Sequence, residues 1–356
     1  MVMSSITDSP RRMKAFRMLA WGDGGRLCEV EVPEPGAGEV RLRVGGNGLC
    51  HSDLHTLDHW RASPPHLDIE LPLTLGHEIA GWIDALGPGV AGWTIGQASA
   101  VTVPGCNHCR RCAEGWNNYC SGARRIYGAG FDGGLAEYVV VREDCLVDIG
   151  SLEPWQAAPL TDAGLSSYHA VKRVAPLLAP GSTVLIIGIG GLGHLAIAEI
   201  KAICAARVIA LDMRDEALAL AVEQGADQCL LSVGLAPQEL AERIGRVDAV
   251  LDFVGSSDTM LLAALAVRPL GHVVVVGRGS GVFEFRNGSL PYGAAISTTF
   301  GGSKSELMEL VALAAARRLP MHLVRYPLDE VSAVLDRLRR GEIVGRAVII
   351  PGRDLQ

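Results

Sequence analysis

No block of lysine and arginine occurs in the 356 residues, and the formal net charge is −7, so the basic footprint of a nucleic-acid partner is missing. No apolar run approaches bilayer length: the longest, such as residues 273–276, fall far short of the ~20 residues a spanning helix needs, so no membrane partner is expected. Residues 1–14 are polar and lack an apolar core of signal-peptide length, which makes a cytoplasmic protein the expectation. Internal repeats and low-complexity segments are absent too. Met13-Lys14-Ala15-Phe16 reads as a second start, so residues 1–12 are an expected tail.

What is present suits a soluble globular protein: 49% hydrophobic and 20% charged residues. A chain of 356 residues exceeds what one hydrophobic core usually absorbs, so two domains are expected. The first 150 residues carry short β-type runs (40–44, 79–83, 136–141) separated by turn signals such as Pro33-Glu34-Pro35-Gly36, the texture of a barrel-like unit. Near residue 154 the texture changes. Apolar spacing predicts one helix over 154–177, then a strand over 183–187, a helix over 193–206 and a strand over 207–211. Alternation continues to residue 276. Continuous apolar strands between helices mean a parallel sheet covered on both faces. The tail predicts helices over 305–318 and 329–340 and a last strand over 346–350.

Nine cysteines are present, and in a reducing compartment spaced cysteines point to metal before disulfides. Cys106, Cys109, Cys112 and Cys120 have tetrathiolate zinc spacing. Four thiolates fill the tetrahedron, so that metal would organise a loop and do no chemistry. Cys28, Cys145, Cys204 and Cys229 have no partner motif and read as ordinary small buried residues. Cys50, His77 and Asp162 are far apart in sequence. If the fold brings them together, a thiolate, an imidazole and a carboxylate would hold a divalent metal with a fourth position open, as catalytic zinc is held.

Gly188-Ile189-Gly190-Gly191-Leu192-Gly193 is a G-x-G-x-x-G run. Among 43 glycines the pattern alone means little, but it follows a predicted strand, opens a helix and precedes a second strand ending in Asp212. Gly188 permits the tight turn, Gly190 lets backbone approach a pyrophosphate, and Gly193 lets helix pack on strand. The helix N-terminus offers free N–H groups to the phosphates. Asp212 can bond ribose hydroxyls and would repel a 2′-phosphate, favouring NAD. Arg214 could instead stack on adenine or tolerate that phosphate.

Together with Cys50-His51-Ser52-Asp53, Gly76-His77-Glu78 and Gly345-Arg346, these motifs resemble the zinc-dependent medium-chain alcohol dehydrogenases over almost the whole chain. The runs 71–78 and 159–165 are most similar to bacterial secondary-alcohol dehydrogenases and phenylacetaldehyde reductases, which share Asp162 where much of the family has cysteine. The resemblance implies an α/β chain with a GroES-like β-barrel catalytic domain (residues 1–163 and 300–356) and a Rossmann doubly wound parallel sheet (164–299). It implies NAD(H), two zinc ions per chain, and reversible oxidation of an alcohol, of secondary, medium-chain or aryl type, to a ketone or aldehyde. A homotetramer is expected from the short connection between Cys120 and Phe131, with a dimer as the alternative.

The resemblance also implies residue roles. Ser52 and His55 match a proton relay, and Asp53 a carboxylate that orients His77. His51 and Arg346 match pyrophosphate contacts, and Thr161 and Val276 further cofactor contacts. Glu78 matches a transient metal ligand, or else an acid paired with an arginine, and Trp60 a wall of the substrate pocket, or else a packing residue. Two other functions compete. A zinc-independent enone or quinone reductase would lack both metal sets, and a non-catalytic NAD-binding protein would carry damaged ligands.

Overall fold

The computed structural model describes residues 11–122 and 124–352. Of the expected tail, residues 1–10 lie outside the described residues, whereas Arg12 opens the strand Arg12–Met18 and pairs with Glu31.

The strands of the N-terminal part and the tail build two main sheets, beside a two-stranded one of Ile126–Tyr127 and Gly130–Phe131. Arg12–Met18 lies between Arg26–Glu31 and Leu73–Thr74. The larger, seven-stranded sheet runs Leu146–Asp148, Ala98–Val101, Glu78–Leu86, Glu39–Gly48, Arg346–Ile350, Leu323–Pro327, with Tyr138–Arg142 also paired to Glu39–Gly48. Register shifts between Arg41/Leu42 and Val44/Gly46 bend the central pair, as bulges do when a sheet curls toward a barrel. Gly46 is required there: a Cβ would sit 2.6 Å from the Trp155 Cα, so the helix Pro154–Ala157 could not approach. The chain's last strand returns to this sheet, antiparallel to Glu39–Gly48. One core accordingly mixes Phe16, Met18, Leu54 and Leu57 with Val331, Val334, Leu335 and Ile349.

The middle of the chain forms a six-stranded, wholly parallel sheet in the order Gln228–Leu231, Arg207–Asp212, Thr183–Ile187, Val247–Asp252, Val267–Val275, Ala295–Thr298. By chain order that is 3-2-1-4-5-6, so the order reverses beside Thr183–Ile187, where a doubly wound sheet opens its ligand crevice. Val184, Leu185, Ile186 and Ile187 are all buried, as a strand covered on both faces requires. The expected α/β combination, a barrel-like β unit with a doubly wound parallel sheet, is the one the chain adopts. No helix among the described residues is long and apolar enough to cross a membrane.

Two local expectations are corrected, and two elements stand outside the apolar pattern. The helix predicted over 154–177 is broken: Pro154–Ala157 tightens into a 3-10 turn over Ala158–Thr161, Asp162 leaves helical geometry at φ −135° and ψ −63°, and Ala163–Val174 resumes. Pro159 supplies no N–H to continue the helical ladder, and the chain tightens into the 3-10 turn around it. Helix His51–His59 and edge strand Ala295–Thr298 have no clear counterpart in the apolar pattern. Among the cysteines without a motif, only Cys145 is fully buried, while Cys28, Cys204 and Cys229 are half-buried.

Candidate metal and dinucleotide centre

Three interruptions of regular structure deliver the three metal-type residues. Cys50 follows the strand Glu39–Gly48 and caps the helix His51–His59. His77 follows Gly76, whose φ of +96° turns the chain into the strand Glu78–Leu86, and Asp162 sits in the helix break. One ligand atom from each of Cys50, His77, Glu78 and Asp162 lies within 4.8 Å of the others. Cys50 Sγ is 3.6 Å from Asp162 Oδ2, and His77 Nε2 is 3.4 Å from the same oxygen. A thiolate, an imidazole and carboxylates converging at that range form a donor set that fits zinc.

The supporting contacts aim these donors. Asp53 accepts the Cys50 N–H at 2.9 Å through Oδ2, and its Oδ1 lies 3.1 Å from His77 Nδ1, which leaves Nε2 for the cluster. Ser52 Oγ is 3.1 Å from His77 Nε2. Burial alone would raise the Asp162 carboxyl, but His77 and the Ser166 hydroxyl hold it below its usual range. Burial likewise opposes the Cys50 thiolate, while the Arg346 charge and His77 favour it. Burial lowers His77, yet Asp53 and Asp162 together hold it well above an ordinary imidazole.

Arg346 joins this cluster to the glycine-rich loop. It donates from Nε to Glu78 Oε2 at 3.1 Å and from a second nitrogen to Oε1, and both residues are buried. Its side chain also lies against Gly191, where a Cβ would come within 2.5 Å of the guanidinium.

The loop has the features its sequence suggested. Gly188 adopts φ +86°, open space surrounds the position a Gly190 Cβ would take, and a Gly193 Cβ would stand 1.9 Å from the Gly188 carbonyl oxygen. Leu192 caps the helix Gly193–Ile203. Asp212 closes on the loop: its Oδ2 accepts the Ile189 N–H at 2.7 Å and its Oδ1 the Arg214 N–H at 3.0 Å. Arg214 Nε lies 3.5 Å from Asp212, and the same side chain donates to the Gly341 carbonyl at 3.0 Å. Beneath the loop, buried His194 holds the Gly190 carbonyl at 2.8 Å through Nδ1, and burial pushes its imidazole down to about 4.

The other expected residues differ in their surroundings. Partial desolvation and the charges of Arg346 and Arg214 hold His51 below its usual value. His55 is exposed, with Trp60 edge-on at 6.3 Å between ring centroids. Trp60 is half-buried against the core under the helix. Thr161 is buried and donates to the Ala158 carbonyl at 2.8 Å, and the Val276 N–H donates to the Asp252 carbonyl at 2.8 Å beside the end of the fifth strand. Ser166 escaped the sequence reading. Its hydroxyl lies 3.2 Å from Asp162 Oδ1, and its position one helical turn after Asp162 was the available signal.

The second cluster is local. One sulfur from each of Cys106, Cys109, Cys112 and Cys120 lies within 4.8 Å of the others, the range a tetrathiolate site needs. The Cys106 and Gly122 N–H groups both point to Cys120 Sγ at 3.3 Å, the usual way backbone steadies a thiolate.

Residues 36–151 match the alcohol dehydrogenase GroES-like domain, and residues 191–316 match the zinc-binding dehydrogenase family. An NAD-dependent alcohol dehydrogenase of Sulfurisphaera tokodaii is 32% identical, over 95% of this chain and 100% of its own. Among solved structures, the alcohol dehydrogenase of Aeropyrum pernix superposes with a TM-score of 0.87 at 32% identity, over 95% of this chain and 100% of that one. Acetophenone reductase of Geotrichum candidum, solved with NAD, gives a TM-score of 0.84 at 30% identity, over 98% of this chain and 100% of that one. With both cysteine-bearing clusters and the dinucleotide loop in place, the chain belongs to the zinc-binding alcohol dehydrogenase family.

Proposed function

We propose that the chain transfers hydride reversibly between an alcohol and NAD, giving the ketone or aldehyde. Cys50, His77 and Asp162 would hold a catalytic zinc, and Cys106, Cys109, Cys112 and Cys120 a structural one. The observation that carries this is the convergence of those three donors within 4.8 Å, tied through Glu78 and Arg346 to the dinucleotide loop. Zinc held there would supply Lewis acidity toward an alcohol or carbonyl oxygen, and NAD the acceptor for hydride.

The chain's own residues do the rest. Ser52 Oγ, beside His77, takes the proton that the substrate hydroxyl releases. His55, one helical turn away and exposed, releases it to solvent. Asp53 fixes the tautomer and orientation of His77. Glu78 is a fourth donor, but its two hydrogen bonds to Arg346 make it a ligand only by exchange. His51, Thr161, Val276, Arg214 and Arg346 face the cofactor, and Asp212 selects NAD over NADP. Trp60 narrows the pocket, and the likeness to an acetophenone reductase favours secondary, medium-chain or aryl substrates.

Residues 1–163 and 300–356 would form the catalytic domain and 164–299 the NAD domain. The short connection from Cys120 to Phe131 favours a homotetramer over a dimer. Nine free cysteines suit the reducing cytoplasm.

The test is an NADH absorbance screen over primary, secondary and aryl alcohols and their carbonyls, with NADP(H) in parallel and metal analysis of the same preparation. Two zinc ions per chain and NAD-linked turnover are expected. One zinc would indicate a damaged catalytic site, and none would favour a zinc-independent reductase. Alcohol oxidation that survives Asp162→Ala would remove Asp162 from the ligand set.

A further inference from the structure

His55 and His59 stand four residues apart on the helix His51–His59, which puts both on one face. Their ring centroids are 5.1 Å apart, with planes inclined by 54°. Both side chains are exposed, and neither has a hydrogen bond or ion pair among the described residues. Trp60 stands edge-on to His55 at 84°, a wall that limits its rotamers and so lowers the entropy lost on binding. His51, one turn earlier, faces Arg346 and Arg214 instead.

Two imidazoles at this helical spacing are a recurrent way of gripping a divalent transition metal. Imidazole nitrogen suits nickel, copper and zinc, whereas calcium and magnesium want oxygen. The surrounding charges sharpen that choice. Asp58 adjoins His59 but is engaged by Arg339 at 2.9 and 2.8 Å, and Arg278 faces His55. A guanidinium beside the site repels cations held by charge alone, leaving those that form coordinate bonds to nitrogen.

We propose that His55 and His59 form a two-imidazole site for a nickel-, copper- or zinc-type ion on the exposed face of the helix His51–His59, apart from both cysteine-bearing clusters. Occupancy slows turnover, because a metal-held His55 can no longer take up and release a proton. That consequence rests on the relay role given to His55 above, whereas the site itself does not.

The test titrates zinc-replete enzyme with Ni²⁺ by calorimetry, with metal analysis before and after to show that both zinc ions stay in place. Wild type is compared with His59→Gln, an exposed position outside the proposed catalytic machinery, so its basal activity should be unchanged. Saturable binding in wild type, weakened at least about tenfold in the variant, is expected, with inhibition of alcohol oxidation following the same midpoint. An isotherm identical in both proteins, or no saturable binding in wild type, overturns the site and leaves the relay standing. Binding that leaves the wild-type rate unchanged overturns the inhibition, and with it the assignment of His55 to proton transfer.

Discussion

Asp53 holds His77 and Cys50 with one carboxylate: Oδ1 lies 3.1 Å from the His77 ring, and Oδ2 accepts the Cys50 N–H at 2.9 Å. Two of the three proposed zinc ligands are therefore set by a single side chain that would not touch the metal. Asp53→Ala frees the His77 ring to rotate and leaves the Cys50 N–H without its acceptor. Catalytic-zinc affinity should fall about 10- to 100-fold, the usual cost of losing such a partner. Chelator competition followed by metal analysis checks it, with one zinc lost easily and the four-cysteine zinc retained.

The glycine-rich loop tolerates less. A Cβ on Gly193 would stand 1.9 Å from the Gly188 carbonyl oxygen, which is backbone and cannot swing aside. Gly193→Ala should push the helix Gly193–Ile203 off the first strand and move the N–H groups proposed to meet the pyrophosphate. NAD affinity should drop at least about tenfold while both metals stay bound. Gly190 has open space in the same place, so Gly190→Ala should leave the apo protein's stability nearly unchanged and affect cofactor binding alone. Calorimetric NAD titrations and thermal melts of both variants separate the two cases.

Local spacing makes some of this legible in the amino-acid sequence itself. Gly188 to Gly193 and the four cysteines each lie within one short segment, so their geometry follows from the residues between them. Cys50, His77 and Asp162 are legible by donor chemistry, although only the fold joins them. The Glu78–Arg346 pair spans 268 residues, and no spacing rule reaches that far. The helix His51–His59 is hidden for a different reason. Its buried residues include polar Asp53 and Thr56, and Leu54 and Leu57 find their core partners in the C-terminal helix Val331–Arg339. The break at Asp162 is masked because apolar spacing continues straight through it, and periodicity carries no sign of one residue leaving helical geometry.

Glu199 lies fully buried on the helix Gly193–Ile203, where its only partner among the described residues is the Ser167 hydroxyl at 2.9 Å. Burial raises its carboxyl well above the ordinary value of 4.5. A raised acid contributes its full stability below the unfolded value and loses it as pH climbs through the folded one. Glu199→Gln keeps the acceptor for Ser167 and carries no charge to bury. The variant should melt higher than wild type at about pH 8, and the gap should close as pH falls toward about 5. A gap that widened on acidification would mean that the wild-type carboxyl is ionised in the folded protein.

His194 should give the opposite slope. It is buried beneath the phosphate-type loop, its Nδ1 donates to the Gly190 carbonyl at 2.8 Å, and its Nε2 has no partner among the described residues. Burial lowers its imidazole from 6.5 to about 4. The unfolded chain takes up this proton first, so stability falls as pH drops from 6.5 to about 4 and levels off below. That window corresponds to about 3 kcal/mol at ~1.4 kcal/mol per pH unit. His194→Asn keeps a donor near the Nδ1 position and removes the titration. Urea unfolding across that window should show wild type losing about 3 kcal/mol more than the variant. Because the donor to Gly190 survives, NAD affinity at neutral pH should change little in His194→Asn. His194→Leu, which leaves the Gly190 carbonyl only the long 3.4 Å bond from the backbone N–H of residue 194, should weaken it.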